Sequence, residues 1–287
     1  MTVNYDPNAN YEIKIWEEDF RQVPTRMLLA RICQPVGDGP FPVLLDLHGG
    51  AWMFKDRLAN TAMAEAMARS GILTVSIDLR WGGELGYPAS VQDANYGIRW
   101  LKMKAPGWKG DPSTIGVLGS SSGGHVAMLL GMRPEDPRYN AIPLEGHPEI
   151  DARVNYVATR SPISDPVARY NNAVAKRNQK MVDRHHVYFN PFGSIVEGNP
   201  QMILDRKEPV ELPPLLVMQG GEDSNVLPAF QKKFAEAYRA AGGECECEVF
   251  EGCGHLWVLD SGPDTDRAHE MLKAFIARQL NALRKAA

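Results

Sequence analysis

Apolar runs of strand length alternate along this chain with amphipathic stretches of helix length. Residues 11–17 alternate polar and apolar, and residues 26–33 do so in part, which predicts an antiparallel hairpin at a sheet edge. Residues 41–47 and 72–77 are nearly unbroken apolar runs and read as buried strands. Between them, residues 59–70 are rich in Ala and Met and form a helix closed by Gly71. A second helix runs from Ser90 to about Lys104, ended by Pro106-Gly107. Its Ser90-Val91-Gln92-Asp93 start has the form of a capping box, which gives Asp93 a structural rather than a catalytic reading. Strands follow at 115–118, 154–158, 215–219 and 245–250, with helices at 126–130, 230–241 and 264–284.

Strands separated by helices predict an α/β fold with a mostly parallel central sheet flanked by helices, joined by right-handed crossovers. Two segments break the rhythm. Residues 133–151 are rich in Pro and charge, and residues 161–211 are too long for a plain loop. The latter is expected to be a small, partly helical cap inserted over the carboxyl ends of the strands, where open α/β sheets bind ligands. At 287 residues the whole of 1–287 fits one domain with that insertion.

Composition changes this picture little. With 44% apolar and 23% charged residues a full core is available. A net charge of −4 and a pI near 6.0 give no general attraction to nucleic acid or anionic membrane. Met1 to Pro7 lack a basic region followed by an apolar core, so a cytoplasmic protein without secretory signal is expected. Residues 114–132 carry no Asp, Glu, Lys or Arg, yet their glycines, serines and His125 suit a strand, turn and helix better than a membrane span. Cys33, Cys245, Cys247 and Cys253 are expected as free thiols. The spacing of the last three with His255 is not a structural zinc pattern, so no metal is expected.

The chemistry concentrates at Gly119-Ser120-Ser121-Ser122-Gly123, where a strand should turn into a helix. In G-x-S-x-G the flanking glycines let strand and helix approach, and the central serine is pushed out of a sharp turn on a strained backbone. A serine hydroxyl needs a base, and an imidazole base needs an acid to orient it. Gly220-Gly221-Glu222-Asp223 follows the 215–219 strand, and Gly252-Cys253-Gly254-His255 follows the last one. Ser121, Asp223 and His255 therefore occur in order, each at a strand's carboxyl end, with Glu222 as the alternative acid. His48-Gly49-Gly50-Ala51-Trp52 supplies a loop whose glycines can turn amides toward an oxyanion. Gly49, Gly50 and Ala51 are assigned to it, with Ser122 giving the amide after the nucleophile.

Together these motifs, with Tyr87-Pro88-Ala89 leading to Asp93 and Gly124-His125 closing the elbow, resemble the α/β-hydrolase superfamily. They are most similar to its hormone-sensitive-lipase-like and feruloyl/acetyl-xylan-esterase-like carboxylesterases. The resemblance runs from about Val43 onward and implies a cofactor-free Ser-His-Asp hydrolase cleaving a small carboxylic ester through an acyl-enzyme. An arylformamidase-like amidase and a non-catalytic ligand-binding relative are the alternatives. Trp52, Trp81 and His125 are placed as substrate-pocket residues. Ala51 stands where many relatives carry a third glycine, and Asp78 to Glu84 departs from the usual Asp-Tyr-Arg-Leu-Ala-Pro-Glu. Arg169, Lys176, Arg177, Lys180 and Arg184 face only Asp183 as an acid in their segment. They read either as a solvated helix face or as a cationic rim attracting carboxylate-bearing substrates. The expected partner is a small ester, with no nucleic acid or membrane and a homodimer left open.

Overall fold

The structure is a computed structural model describing Val3 and residues 5–286. Its centre is an eight-stranded sheet in the order β1-β2-β4-β3-β5-β6-β7-β8. The strands are β1 (Ile13–Gln22), β2 (Met27–Pro35), β3 (Val43–Leu47), β4 (Leu73–Ile77), β5 (Gly116–Ser120), β6 (Val157–Arg160), β7 (Leu215–Gly220) and β8 (Cys245–Phe250). The β1–β2 and β2–β4 pairs are antiparallel, and every pair from β4 to β8 is parallel. The expected edge hairpin is present, with its first strand at Ile13–Gln22 rather than 11–17.

Period-two alternation sorts the central strands onto two cores. Val43, Leu45, Leu47, Val117, Val157, Leu215 and Val217 face a cluster filled by α2 (Ala89–Lys104), α3 (Ser122–Met132) and α8 (Pro228–Ala240). Leu44, Leu118, Ala158, Leu216 and Met218 face the opposite one, covered by α1 (Thr61–Arg69) and α9 (Pro263–Ala286). In α9 the buried residues Ala268, Leu272, Phe275, Ile276 and Leu280 recur at helical spacing, which fixes the face that packs on the sheet. Between β6 and β7 run four shorter helices, α4 (Pro166–Ala175), α5 (Gln179–Tyr188), α6 (Ser194–Glu197) and α7 (Pro200–Asp205).

Two local expectations need correction. Strand β6 spans Val157–Arg160 rather than 154–158, because Asn155 is held by the Ile115 carbonyl before pairing with β7 begins. The start of α2 is not a capping box. Its N-cap is Pro88, and the Ser90 hydroxyl shares a hydrogen bond with Tyr188 Oη at 2.7 Å instead of closing on the backbone. Asp93 is buried and accepts from the Arg80 amide at 2.8 Å, the Arg80 guanidinium and Arg21. Its structural role stands, but as the anchor of the 78–84 loop.

Candidate active site

Ser121 sits between β5 and α3 with φ 52° and ψ −113°, a strained conformation for a residue with a side chain. What forces the strain is proximity. A Cβ on Gly123 would lie 2.2 Å from the Leu47 carbonyl oxygen, and one on Gly119 would lie 2.4 Å from that of Gly123. Strand and helix meet too closely there for any side chain. The Ser121 amide donates to the Arg160 carbonyl at 2.8 Å, which ties the elbow to the end of β6.

The loop after β8 brings His255 to this serine across 134 residues of sequence, with Nε2 3.0 Å from Ser121 Oγ. The loop after β7 brings Asp223, whose Oδ2 lies 2.7 Å from His255 Nδ1. Because the carboxylate can only accept, Nδ1 carries the proton and Nε2 is left to accept from the serine hydroxyl. Burial would push the Asp223 carboxyl up. Hydrogen bonds from His255, the Val226 amide and Gln219 more than offset it and hold the group below the usual carboxylate range. Glu222, the alternative acid, is exposed and makes no hydrogen bond to His255.

The segment after β3 contributes backbone. Gly50, Ala51 and Trp52 have successive positive φ values of 115°, 50° and 62°. Gly50 is obligatory, since a Cβ there would fall 1.9 Å from the Phe54 carbonyl oxygen. Among the described residues the amides of Gly50, Ala51 and Ser122 donate no hydrogen bond, and Ser122 opens α3, whose N-terminus favours negative charge.

Trp52 holds this loop in place. Its ring stacks on Tyr188 at 4.6 Å and 5°, and its Nε1 donates to His125 Nδ1 at 3.1 Å. His125 therefore keeps its proton on Nε2, which donates to the Gly198 carbonyl at 2.6 Å. Burial pulls the His125 imidazole down to about 4, so it is neutral. The Arg169 guanidinium lies 5.4 Å from the Trp52 ring and is buried, which removes it from the expected rim.

A cavity of ≈ 210 Å³ opens on Ser121 and His255, walled by Phe54, Met181, Leu256, Val258 and Leu259. Gly49, Gly50 and Ala51 line it, as do Lys55, Asn60, Arg160 and Arg184. Trp52, Trp81 and His125 do not, contrary to expectation. Trp52 and His125 are packed against the helices between β6 and β7. Trp81 Nε1 donates to the Lys55 carbonyl, and its ring lies 4.4 Å from the Arg26 guanidinium. Lys176, Arg177 and Lys180 are exposed and outside the cavity, so Arg184 alone of the basic run reaches it.

Sequence reasoning missed Arg160, which is only 2% exposed. Its Nη2 donates to Asn60 Oδ1 at 2.8 Å and Ser120 Oγ at 2.5 Å. Asn60 in turn donates to Asp46 Oδ1 at 2.9 Å, and Ser76 donates to Asp46 Oδ2 at 2.8 Å. Burial lowers the Arg160 guanidinium to about 10, which still leaves it charged at neutral pH. Asp46, within a strand otherwise apolar, was a signal of this network in the sequence.

Architecture and site geometry together are those of the α/β-hydrolase fold. By its match to the BD-FAE family model over residues 32–238, the chain belongs to the BD-FAE family. That match ends before His255. Esterase LipC of Mycobacterium tuberculosis is 28% identical over 247 residues, covering 83% of this chain and 58% of its own. Carboxylesterase NlhH of the same organism is 26% identical over 231 residues, covering 80% and 66%. The chain thus spans roughly half to two thirds of the curated relatives it matches. Two solved structures share the fold. Esterase B from Lactobacillus rhamnosis superimposes with TM-score 0.80 at 17% identity, covering 97% of this chain and 92% of that one. Thermogutta terrifontis esterase 2 phosphonylated by sarin gives 0.74 at 22% identity, covering 93% and 94%. Among the described residues no helix is long and apolar enough to cross a membrane, and no group of three or more His, Cys, Asp or Glu could hold a metal ion.

Proposed function

We propose that this protein is a serine hydrolase of small carboxylic esters. The observation that carries the reading is the hydrogen-bonded chain from Ser121 through His255 to Asp223, beside unpaired amides on a strained loop. The esterase and carboxylesterase names of its relatives favour ester over amide substrates.

In the proposed reaction Ser121 Oγ attacks the ester carbonyl carbon while its proton passes to His255 Nε2. The carbonyl π electrons move to oxygen, and that oxyanion is stabilised by the amides of Gly50, Ala51 and Ser122, with Gly49 setting the loop's approach. Collapse breaks the bond to the alcohol oxygen, which takes the proton from His255 and leaves. Water then attacks the acyl carbon with His255 as base, and the second collapse releases the acid and returns the proton to Ser121. Asp223 stays ionised throughout, orienting the imidazole and stabilising its cation.

We read residues 161–211 as a cap on a single domain, because their helices supply Met181 and Arg184 to the cavity wall. Four free thiols support a reducing compartment such as the cytoplasm. The test is labelling with a fluorophosphonate followed by a panel of acyl esters, anilides and N-formyl amines. Ser121-dependent labelling with turnover confined to esters is the expected result. Labelling that survives Ser121→Ala, or turnover of the amides alone, overturns the reading.

A further inference from the structure

The cavity beside Ser121 has an unusual charge inventory. Lys55, Arg160 and Arg184 line it, and neither Asp nor Glu does. Surface cations in this chain are commonly paired, as Arg153 is with Glu211 and Arg278 with Glu246. The three cavity cations form no ion pair among the described residues. Arg184 makes only a cation–π contact, 4.8 Å from the Phe54 ring, and Phe54 is itself part of the cavity wall.

Arg160 is the more telling. Enclosing a guanidinium is costly unless an anion and a full set of acceptors compensate. Here compensation is incomplete. Only Nη2 is engaged, Nε is enclosed without a partner, and Nη1 makes no hydrogen bond among the described residues. The nearest acid in the network, Asp46, is held off by Asn60, which bonds both groups and keeps them from direct contact. Ser120, its other partner, is the residue before the proposed nucleophile. An incompletely compensated cation thus sits in the wall of a small cavity that holds no acid, hydrogen-bonded to the residue beside the proposed nucleophile.

We propose that this pocket selects esters bearing a carboxylate at the end remote from the scissile bond, with Arg160 as its principal counter-charge and Arg184 as the second. The proposal rests on the ester-hydrolase reading above. The substrate carboxylate accepts from Arg160 Nη1, the free nitrogen that is not enclosed, while the intervening methylenes lie along Phe54, Met181, Leu256 and Val258. Neutral esters of the same length leave the deficit in place. The cationic device that was one of two readings of the basic run is therefore relocated: it consists of Arg184 and a residue 24 positions upstream of it, not the exposed Lys176, Arg177 and Lys180.

The experiment uses the intact protein and two matched pairs at neutral pH. One compares ethyl hexanoate with monoethyl adipate, which places the carboxylate on the acyl side. The other compares pentyl acetate with the same ester whose terminal methyl is a carboxylate, which places it on the alcohol side. Fluorophosphonate labelling is measured first. No labelling and no turnover of any ester overturns the hydrolase reading and the proposal with it. With labelling intact, kcat/KM for the charged member of at least one pair should exceed that of its neutral partner by about 10-fold or more, the range of a charge-assisted hydrogen bond. That ratio, taken within each variant so that losses common to both substrates cancel, should fall to near one in Arg160→Gln and several-fold in Arg184→Gln. If Arg160→Gln fails to fold, Arg184→Gln decides. Equal or better turnover of the neutral member in both pairs overturns the proposal, as does a ratio that every folded variant leaves unchanged.

Discussion

Replacing Asp223 by Asn removes one charge and leaves the shape nearly intact, so its effect isolates what the carboxylate does. In the wild type, Oδ1 accepts from the Asn225 amide at 2.9 Å and the Val226 amide at 2.8 Å. Oδ2 accepts from Gln219 Nε2 at 3.0 Å and His255 Nδ1 at 2.7 Å. An amide cannot accept at both ends. The two backbone donors are fixed, so the Asn oxygen turns toward them and its NH₂ faces Gln219 and His255. His255 must then offer Nδ1 as acceptor, which moves its proton to Nε2 and points a donor at the Ser121 hydroxyl. The base is lost through tautomer choice, with no atom displaced far. A loss of orientation and base of this kind costs about 10⁴ in kcat, or ~5.5 kcal/mol of barrier at about 1.4 kcal/mol per tenfold. Ester turnover under saturating substrate measures it, and circular dichroism shows whether the fold is kept. Glu222→Gln is the matched control and should change kcat less than about twofold, because Glu222 points to solvent. A folded Asp223→Asn protein retaining more than about a hundredth of wild-type kcat would refute the argument, as would equal losses in the two variants.

Three further outcomes are expected. Ser121→Ala should abolish fluorophosphonate labelling and cut ester turnover by about four to six orders of magnitude while folding normally; residual activity above a tenth of wild type would disqualify Ser121. Gly123→Ala drives a Cβ to 2.2 Å from the Leu47 oxygen and 2.4 Å from that of His48, so the protein should lose at least ~2 kcal/mol of stability; an unchanged urea midpoint would mean the elbow is looser than described. Burial lowers His125 to about 4 and His185 to about 3, below the unfolded value near 6.5, so the unfolded chain takes up protons first and stability falls as pH drops from about 6.5 toward 4. His185→Gln should reduce the pH slope of stability in that window by about one proton, and an identical slope would contradict the burial argument.

The residues that the fold brings together at the candidate site stand out in the sequence because their signals are local. Gly119 and Gly123 bracket Ser121 within one turn, and Asp223 and His255 each follow a strand that stands out by its apolar run. What stayed hidden depends on contacts between distant segments. Arg160 meets Asn60 across 100 residues, and nothing in the run Val157 to Ser161 says that a guanidinium will be enclosed there. Ser90 and Asp93 have capping-box spacing, but Tyr188 from α5 and Arg80 from the preceding loop compete for them and win. Trp52, Trp81 and His125 are residue types that line pockets. Stacking on Tyr188 and the hydrogen bonds to Gly198 and Lys55 turn them inward instead. The basic run divides: Lys176, Arg177 and Lys180 are exposed, as the solvated-face reading has it, while Arg169 is buried against Trp52.

The order in which the reactive groups are joined has a consequence for biosynthesis. A ribosome delivers Ser121 long before His255, and the hydrogen bond between them must wait until β8 has docked beside β7. A chain translated only through β7 has no imidazole to take the Ser121 proton, and it also lacks the α9 residues Leu272, Phe275 and Ile276 that cover one face of the sheet. On the proposed mechanism, the three reactive groups come together only after the loop that follows β8 has been made.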